Sequence, residues 1–235
     1  KRQSGFLMPS FKNSPNNNTF LSIPYFHAIS ENKDMTFTPR FYSNDKLLIQ
    51  TEYRVANKNS DAISDVSILK DQDAKTNNHV FYNLKKKINF GKFDTSNLNL
   101  NIEYVSNDTY LKANKIKSPL IKNQDLLENS IGIDLFSTDM SVETDFIMLE
   151  NLNKKKSDRF EYIFPKINLN KIIENKTKYD GNFLFKSNNY IQNYNTNVLE
   201  KINTNDLIFT SFPKITNKSF YNNYEFILKN SNSDT

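Results

Sequence analysis

Between Asn97 and Tyr104 the chain alternates without a break: Leu98, Leu100, Ile102 and Tyr104 fall on one side, Asn97, Asn99, Asn101 and Glu103 on the other. A period of two predicts a strand with one apolar and one polar face. The same period sets Met35, Phe37, Pro39 and Phe41 against Asp34, Thr36, Thr38 and Arg40. It also sets Leu47, Ile49, Thr51, Tyr53 and Val55 against Gln50, Glu52 and Arg54. Weaker alternation marks Ala62 to Leu69, Val80 to Leu84, Ile131 to Leu135, Val142 to Met148, Phe160 to Leu169, Phe183 to Tyr190, Leu207 to Phe212 and Phe220 to Leu228, giving about eleven to thirteen strands. Polar clusters between them (Asn57 to Ser60, Lys70 to Asn78, Ser106 to Asn129, Asn151 to Asp158, Asn170 to Lys178) read as loops of unequal length. Many strands of this kind suit a transmembrane β-barrel with a wet lumen, and also a soluble β-sandwich. Glu, Arg and Asn at successive positions of the second face favour the barrel.

Composition narrows the picture. No apolar run approaches the roughly 20 residues of a membrane-spanning helix. With no cysteine, disulfides, thiolate metal sites and thiol nucleophiles are excluded within these 235 residues. Only 4 glycines serve a chain that needs many turns, while asparagine, about 37 residues, is several times commoner than usual. Asparagine is therefore expected to make the turns, because it tolerates the left-handed conformation and bonds its own backbone; an AT-rich genome is a sufficient alternative cause. The net charge of +5 comes from basic residues scattered among 26 acidic ones, which does not describe a nucleic-acid surface. The chain opens on Lys1 and ends in a polar tail, so it reads as a piece of a longer protein.

The segments Ser4-Gly5-Phe6-Leu7-Met8-Pro9-Ser10, Ile23-Pro24-Tyr25-Phe26-His27-Ala28-Ile29-Ser30 and Asn32-Lys33-Asp34 resemble the start of the barrel in the LPS-assembly protein LptD family. The stretches Met35 to Tyr42 and Leu47 to Arg54 resemble that family's third and fourth strands. Asn195 to Val198 and Asn205 to Lys214 are similar to the mid-barrel region of alphaproteobacterial members. The resemblance implies an all-β fold: an antiparallel transmembrane barrel, of which residues 1–235 are the first, unclosed part. The jellyroll domain that precedes the family's barrel and the barrel's second half are absent from the chain. His27 stands where tryptophan is common, and the jellyroll-to-barrel disulfide of many members finds no support in a chain without cysteine. The implied role is transport without bond chemistry in the cell outer membrane: lipopolysaccharide, received from a periplasmic bridge through the jellyroll, is inserted into the outer leaflet with an LptE-like plug lipoprotein. No cofactor is implied. A secreted binding or adhesion module and an unrelated porin-type channel are the rival classes.

Pro9 and Pro24 each lack the N–H a ladder needs and so weaken pairing where they stand. Read from composition they are edge or turn residues; the family resemblance implies that they sit in the strands of a lateral gate. Pro39 is expected at a bulge or strand end. Arg40, Gln50, Glu52 and Arg54 share the polar face, and charges on a lipid face would cost about 2–4 kcal/mol each at the midplane, so these four are expected to face the lumen. Parity requires an odd turn between the third and fourth strands. Five residues there put Arg40 opposite Glu52, the expected ion pair; three put it opposite Leu48. The runs Lys85-Lys86-Lys87 and Lys154-Lys155-Lys156 read as solvated loop charges, with contact to LPS phosphates as the functional alternative. His27 and His79 lack metal spacing or a nucleophile motif, so neither a catalytic residue nor a metal site is expected, and His27 reads as an interface-belt residue.

Overall fold

The computed structural model describes residues 2–13, 19–70, 76–175, 180–194, 197–215 and 220–235, and the side chains of 156 and 157 are outside that description. Parts of two expected loops (71–75 and 176–178), residues Asn195 and Thr196 of one family motif, and the side chain of Lys156 therefore lie outside the described residues. The described chain is almost entirely antiparallel strand. In order it forms β1 (Gly5–Phe6), β2 (Ser10–Lys12), β3 (Phe20–Ser22), β4 (Tyr25–Ser30), β5 (Lys33–Tyr42), β6 (Leu47–Asn57), β7 (Ser60–Lys70), β8 (Thr76–Ile88) and β9 (Thr95–Val105). A one-turn helix α1 (Tyr110–Ala113) follows, then β10 (Leu126–Phe136), β11 (Met140–Asn151), a 3-10 turn (Lys156–Arg159), β12 (Phe160–Ile173), β13 (Gly181–Tyr194) and β14 (Val198–Ser211). The last strands are β15 (Lys214–Ile215), β16 (Tyr221–Asn222) and β17 (Glu225–Asp234).

One large sheet runs β1-β4-β5-β6-β7-β8-β9-β10-β11-β12-β13-β14-β17, with β2 on β3 and β3 on β5; β15 and β16 make a separate ribbon. No pairing among the described residues joins its first strand to its last, as an incomplete antiparallel barrel requires. The expected strand number holds once β1 and β2, and β3 and β4, are counted as single strands broken at a proline and the short ribbon is set aside.

Two compact units are distinguished, one of Lys1–Lys86, Asn99–Ser130 and Leu149–Arg159, the other of Lys87–Leu98, Ile131–Met148 and Phe160–Thr235. In the first unit the registers of β5 on β6, β6 on β7 and β7 on β8 are unbroken, so parity assigns every side chain to a face. One face holds Phe37, Phe41, Ile68 and Val80, all exposed. The opposite face is closed by segment 106–125, whose Tyr110, Leu111 and Ile116 pack with Leu48, Leu69, Phe81 and Val105 into a buried cluster. The segment read as loop thus supplies a core.

In the second unit the registers of β12, β13, β14 and β17 stack Phe183, Phe209 and Phe226, then Phe185, Leu207 and Leu228, on one face. The next rows of that face are Ser187, Asn205 and Asn230, then Asn189, Asn203 and Asn232. Amides bridge them: Ser187 Oγ donates to Asn205 Oδ1 at 2.7 Å, and Asn189 Nδ2 donates to Ser187 Oγ at 2.9 Å. Gly181 allows the aromatic row to close. A Cβ there would lie 2.5 Å from the Thr210 carbonyl oxygen and 2.6 Å from the Phe209 ring. Gly181→Ala is expected to lower stability by about 1–3 kcal/mol, read as a lower unfolding midpoint of the folded protein. An unchanged midpoint would show that β13 and β14 yield without cost.

Asparagine makes turns by both expected routes, the left-handed one once among the described residues and the side-chain one more often. Of the described non-glycine residues with positive φ, only Asn197 is asparagine; the others are Asp45 and Lys115. Its side chain bonds backbone two residues on, from Asn107 to Thr109, Asn123 to Asp125 and Asn151 to Asn153, at 2.8–3.0 Å. Lys85, Lys86 and Lys87 lie within β8, not in a loop, because Asp61 and Ser60 of β7 continue the ladder opposite Lys85 and Lys86.

Candidate functional site

The first two strands break at the same level. β1 pairs with β4 through Gly5–Phe26 and Phe6–Tyr25, while β2 pairs with β3 through Ser10–Ser22, so the register slips by one residue across Pro9 and Pro24. The Leu7 N–H donates to the Pro24 carbonyl at 2.9 Å, so the polar side of Pro24 faces the first strand, and the N–H it lacks would have served that strand. β5 runs on past the break. Pro39 lies inside it, with no bulge against β6, which corrects the expected strand end. Its carbonyl accepts from Ile23 N–H at 3.2 Å, so its missing donor is directed at the broken strand and costs the β5–β6 ladder nothing. Pro9, Pro24 and Pro39 therefore leave a row of missing donors across three successive strands.

Beside this row Arg40, Gln50, Glu52 and Arg54 share the face covered by segment 106–125, as parity requires. The ion pair between Arg40 and Glu52 does not form. Tyr42 N–H bonds the Lys46 carbonyl at 3.0 Å around a three-residue turn with Asp45 left-handed, so Arg40 faces Leu48 and Glu52 faces Thr36. Arg54 Nε reaches Asp34 Oδ1 at 2.7 Å and Glu52 at 3.4 Å, and Arg2 joins Asp34 at 2.6 Å.

Arg40 and Gln50 are 6% exposed and act on the covering segment. Arg40 Nη1 donates to the Asn114 carbonyl at 2.9 Å and Nη2 to Gln50 Oε1 at 3.1 Å. Gln50 Nε2 then donates to Asp65 Oδ1 and Oδ2 at 3.0 Å and to the Lys117 carbonyl at 2.9 Å. A second chain runs from the helix: Ser67 Oγ lies 2.7 Å from Tyr110 Oη and 2.5 Å from His79 Nδ1, and His79 Nε2 lies 3.5 Å from Asp65. Burial pushes the Tyr110 hydroxyl up to about 12, which keeps its proton available to donate. With Tyr110 donating to Ser67 and Ser67 to His79, the imidazole carries its proton toward Asp65. Serine, histidine and aspartate thus stand in the order of a hydrolase triad. All three are at most 1% exposed, and the serine oxygen is occupied on both sides, so the arrangement fastens α1 to the sheet and offers substrate no nucleophile. Among the described residues no group of three His, Cys, Asp or Glu could hold a metal.

Sequence reasoning missed Asp65, Ser67, His79 and Tyr110 as partners. The first three occupy polar-face positions of β7 and β8, a signal present in the pattern; Tyr110 lies in a segment with no period to read. His27 Nδ1 lies 3.4 Å from Ser4 Oγ, and its ring stacks 6.5 Å from that of Tyr25.

A second fastening is electrostatic. Arg159, in the 3-10 turn, bonds Asp108 through Nη1 and Nη2 at 3.0 and 2.7 Å and Glu150 through Nε at 2.7 Å. The guanidinium holds the Asp108 carboxyl below its ordinary range. A lowered carboxyl pKa gives stability that is complete above the ordinary value and lost as pH falls through the lowered one. Hydrogen exchange of the α1 amides is therefore expected to speed up below about pH 4, and Asp108→Asn should remove that step. A step of the same size in Asp108→Asn would assign it to another group.

No family model matches the chain. It is similar to the LPS-assembly protein LptD of Pseudoalteromonas translucida, 28% identical over 160 residues, which cover 65% of this chain and 21% of that protein. The LPS-assembly protein LptD of Paraburkholderia xenovorans is 35% identical over 92 residues, 39% of this chain and 12% of that protein. That of Shewanella frigidimarina is 46% identical over 54 residues, 23% of this chain and 7% of its own length. The matched stretches thus span about a fifth or less of these relatives.

Proposed function

We propose that the chain is the N-terminal part of the barrel of an LptD-family protein, alphaproteobacterial-like in its middle, and that the whole protein inserts lipopolysaccharide into the outer leaflet of the cell outer membrane. The reading has support from partial similarity to several LPS-assembly proteins and from an unclosed antiparallel sheet. In it, the exposed apolar face of β5 to β9 meets lipid, and the face of Arg40, Gln50, Glu52 and Arg54 lines the lumen. Phosphate and sugar need water or polar partners, which the lumen supplies, while acyl chains leave by the side. An LptE-like plug lipoprotein and a periplasmic bridge, reached through a jellyroll domain, complete the translocon.

The observation that carries the lateral exit is the break at Pro9 and Pro24 beside β1, whose other edge has no partner among the described residues. A seam short of backbone hydrogen bonds opens at lower cost than a full ladder. Photocrosslinking tests the route: a benzophenone side chain at Thr36, on the inner face beside the seam, should form an LPS adduct in cells, and the same group at Ile68, on the outer face, should form far less. No adduct at Thr36, or equal yields at both, would contradict the lumenal route.

A further inference from the structure

Between the broken hairpin, β5, β6 and the covering segment lies a cavity of about 250 Å³, lined by Ser22, Thr36, Thr38, Arg40, Glu52 and Lys117 among others. Its chemistry differs from the buried network behind it. Four hydroxyls come from three strands, Ser10 of β2, Ser22 of β3, and Thr36 and Thr38 of β5, and no side-chain hydrogen bond of these four groups is formed among the described residues. Lys117 is exposed, and its ammonium has no ion-pair partner among the described residues, although the Lys117 backbone is anchored by Gln50. Arg40 is buried, with Nη1 bonded to the Asn114 carbonyl of the segment, Nη2 to Gln50 of β6, and Nε without a hydrogen-bond partner among the described residues. The carboxylate of Glu52 is held by Arg54 at 3.4 Å.

We infer that this cavity binds one phosphorylated sugar ring. Clustered hydroxyls match the donors and acceptors of a pyranose, and Glu52 can accept from a ring hydroxyl. Lys117 and Arg40 supply the positive charge a phosphate needs, Lys117 as a free point charge. The volume admits a single ring and excludes an oligosaccharide lying flat. Because Ser10 and Ser22 belong to the hairpin beyond the proline break and Lys117 to the covering segment, an occupant joins the seam to the loop. The inference rests on the proposed transport of lipopolysaccharide, which is a phosphorylated saccharide, and gives that reading a specific stop along the lumen.

The test uses the full-length protein in detergent, with glucose 1-phosphate, glucose and inorganic phosphate as probes in titration calorimetry. Glucose 1-phosphate should bind saturably, and glucose and phosphate at least about tenfold more weakly, since each forfeits one set of contacts. Lys117→Gln should weaken glucose 1-phosphate about tenfold and leave glucose unchanged; Thr38→Val should weaken both sugars. Heat-modifiable gel mobility, unchanged in both variants, would show that each folds. Wild-type affinity in Lys117→Gln, inorganic phosphate equal to glucose 1-phosphate, or no binding at all would overturn the inference. Surface LPS measured after depletion of the protein separates the two readings. Normal transport without sugar-phosphate binding removes only the cavity's assignment; specific binding with surface LPS unaffected by depletion removes the transport reading.

Discussion

Gln50→Leu is expected to free segment 106–125 and to lower stability by about 3 kcal/mol or more. The size follows from what is left behind. Gln50 gives Asp65 two of its contacts, accepts from Arg40, and holds the Lys117 carbonyl. Leucine has a comparable volume, so little packing is lost, but among the described residues a fully buried carboxylate then keeps only His79 at 3.5 Å. Such a group is costly because water cannot reach it to replace the missing donor. Limited proteolysis within 106–125 should become rapid and the unfolding midpoint should fall. Gln50→Glu separates shape from charge: it keeps the acceptor for Arg40 but sets a second carboxylate against Asp65, and should be at least as damaging. Resistance to protease in both variants would mean that apolar packing of Leu111 and Ile116 alone retains the segment.

Pro9→Ala combined with Pro24→Ala in the full-length protein is expected to slow LPS delivery about tenfold while leaving the barrel folded. Each alanine returns one N–H to the first hairpin, and a backbone hydrogen bond contributes about 0.5–1.5 kcal/mol, so two can raise an opening barrier by a factor of that order. The restored Pro24→Ala donor would face the first strand, as its carbonyl already does. Surface LPS appearance after a pulse label, with antibiotic exclusion as the cellular readout, checks it. Unchanged delivery would make both prolines tolerated edge residues. Pro39→Ala should act in the same direction and more weakly, because its N–H would be returned to the broken strand from a continuous one.

Much of this was legible in the sequence where a strand has one apolar and one polar face. The alternation in Met35 to Phe41 and Leu47 to Val55 located β5 and β6, and fixed the shared face of Arg40, Gln50, Glu52 and Arg54. Parity restricted the turn to odd lengths. It could not choose between three residues and five, because that choice depends on Asp45 taking the left-handed conformation and on the Tyr42–Lys46 bond. The expected partner of Arg40 was wrong for that reason alone. Segment 106–125 has no period of its own, since its residues satisfy a surface made by other strands; Tyr110, Leu111 and Ile116 are spaced for the holes beside Leu48, Leu69 and Phe81. The contacts of Asp65, Ser67 and His79 were hidden for the same reason, although their face was not.

The most direct test of the central claim is to deplete the full-length protein from growing cells and follow newly made LPS. The account predicts that LPS stops reaching the cell surface and accumulates on the inner side of the envelope, while other outer-membrane barrels still assemble. Arrival of LPS at the surface at an undiminished rate would contradict it.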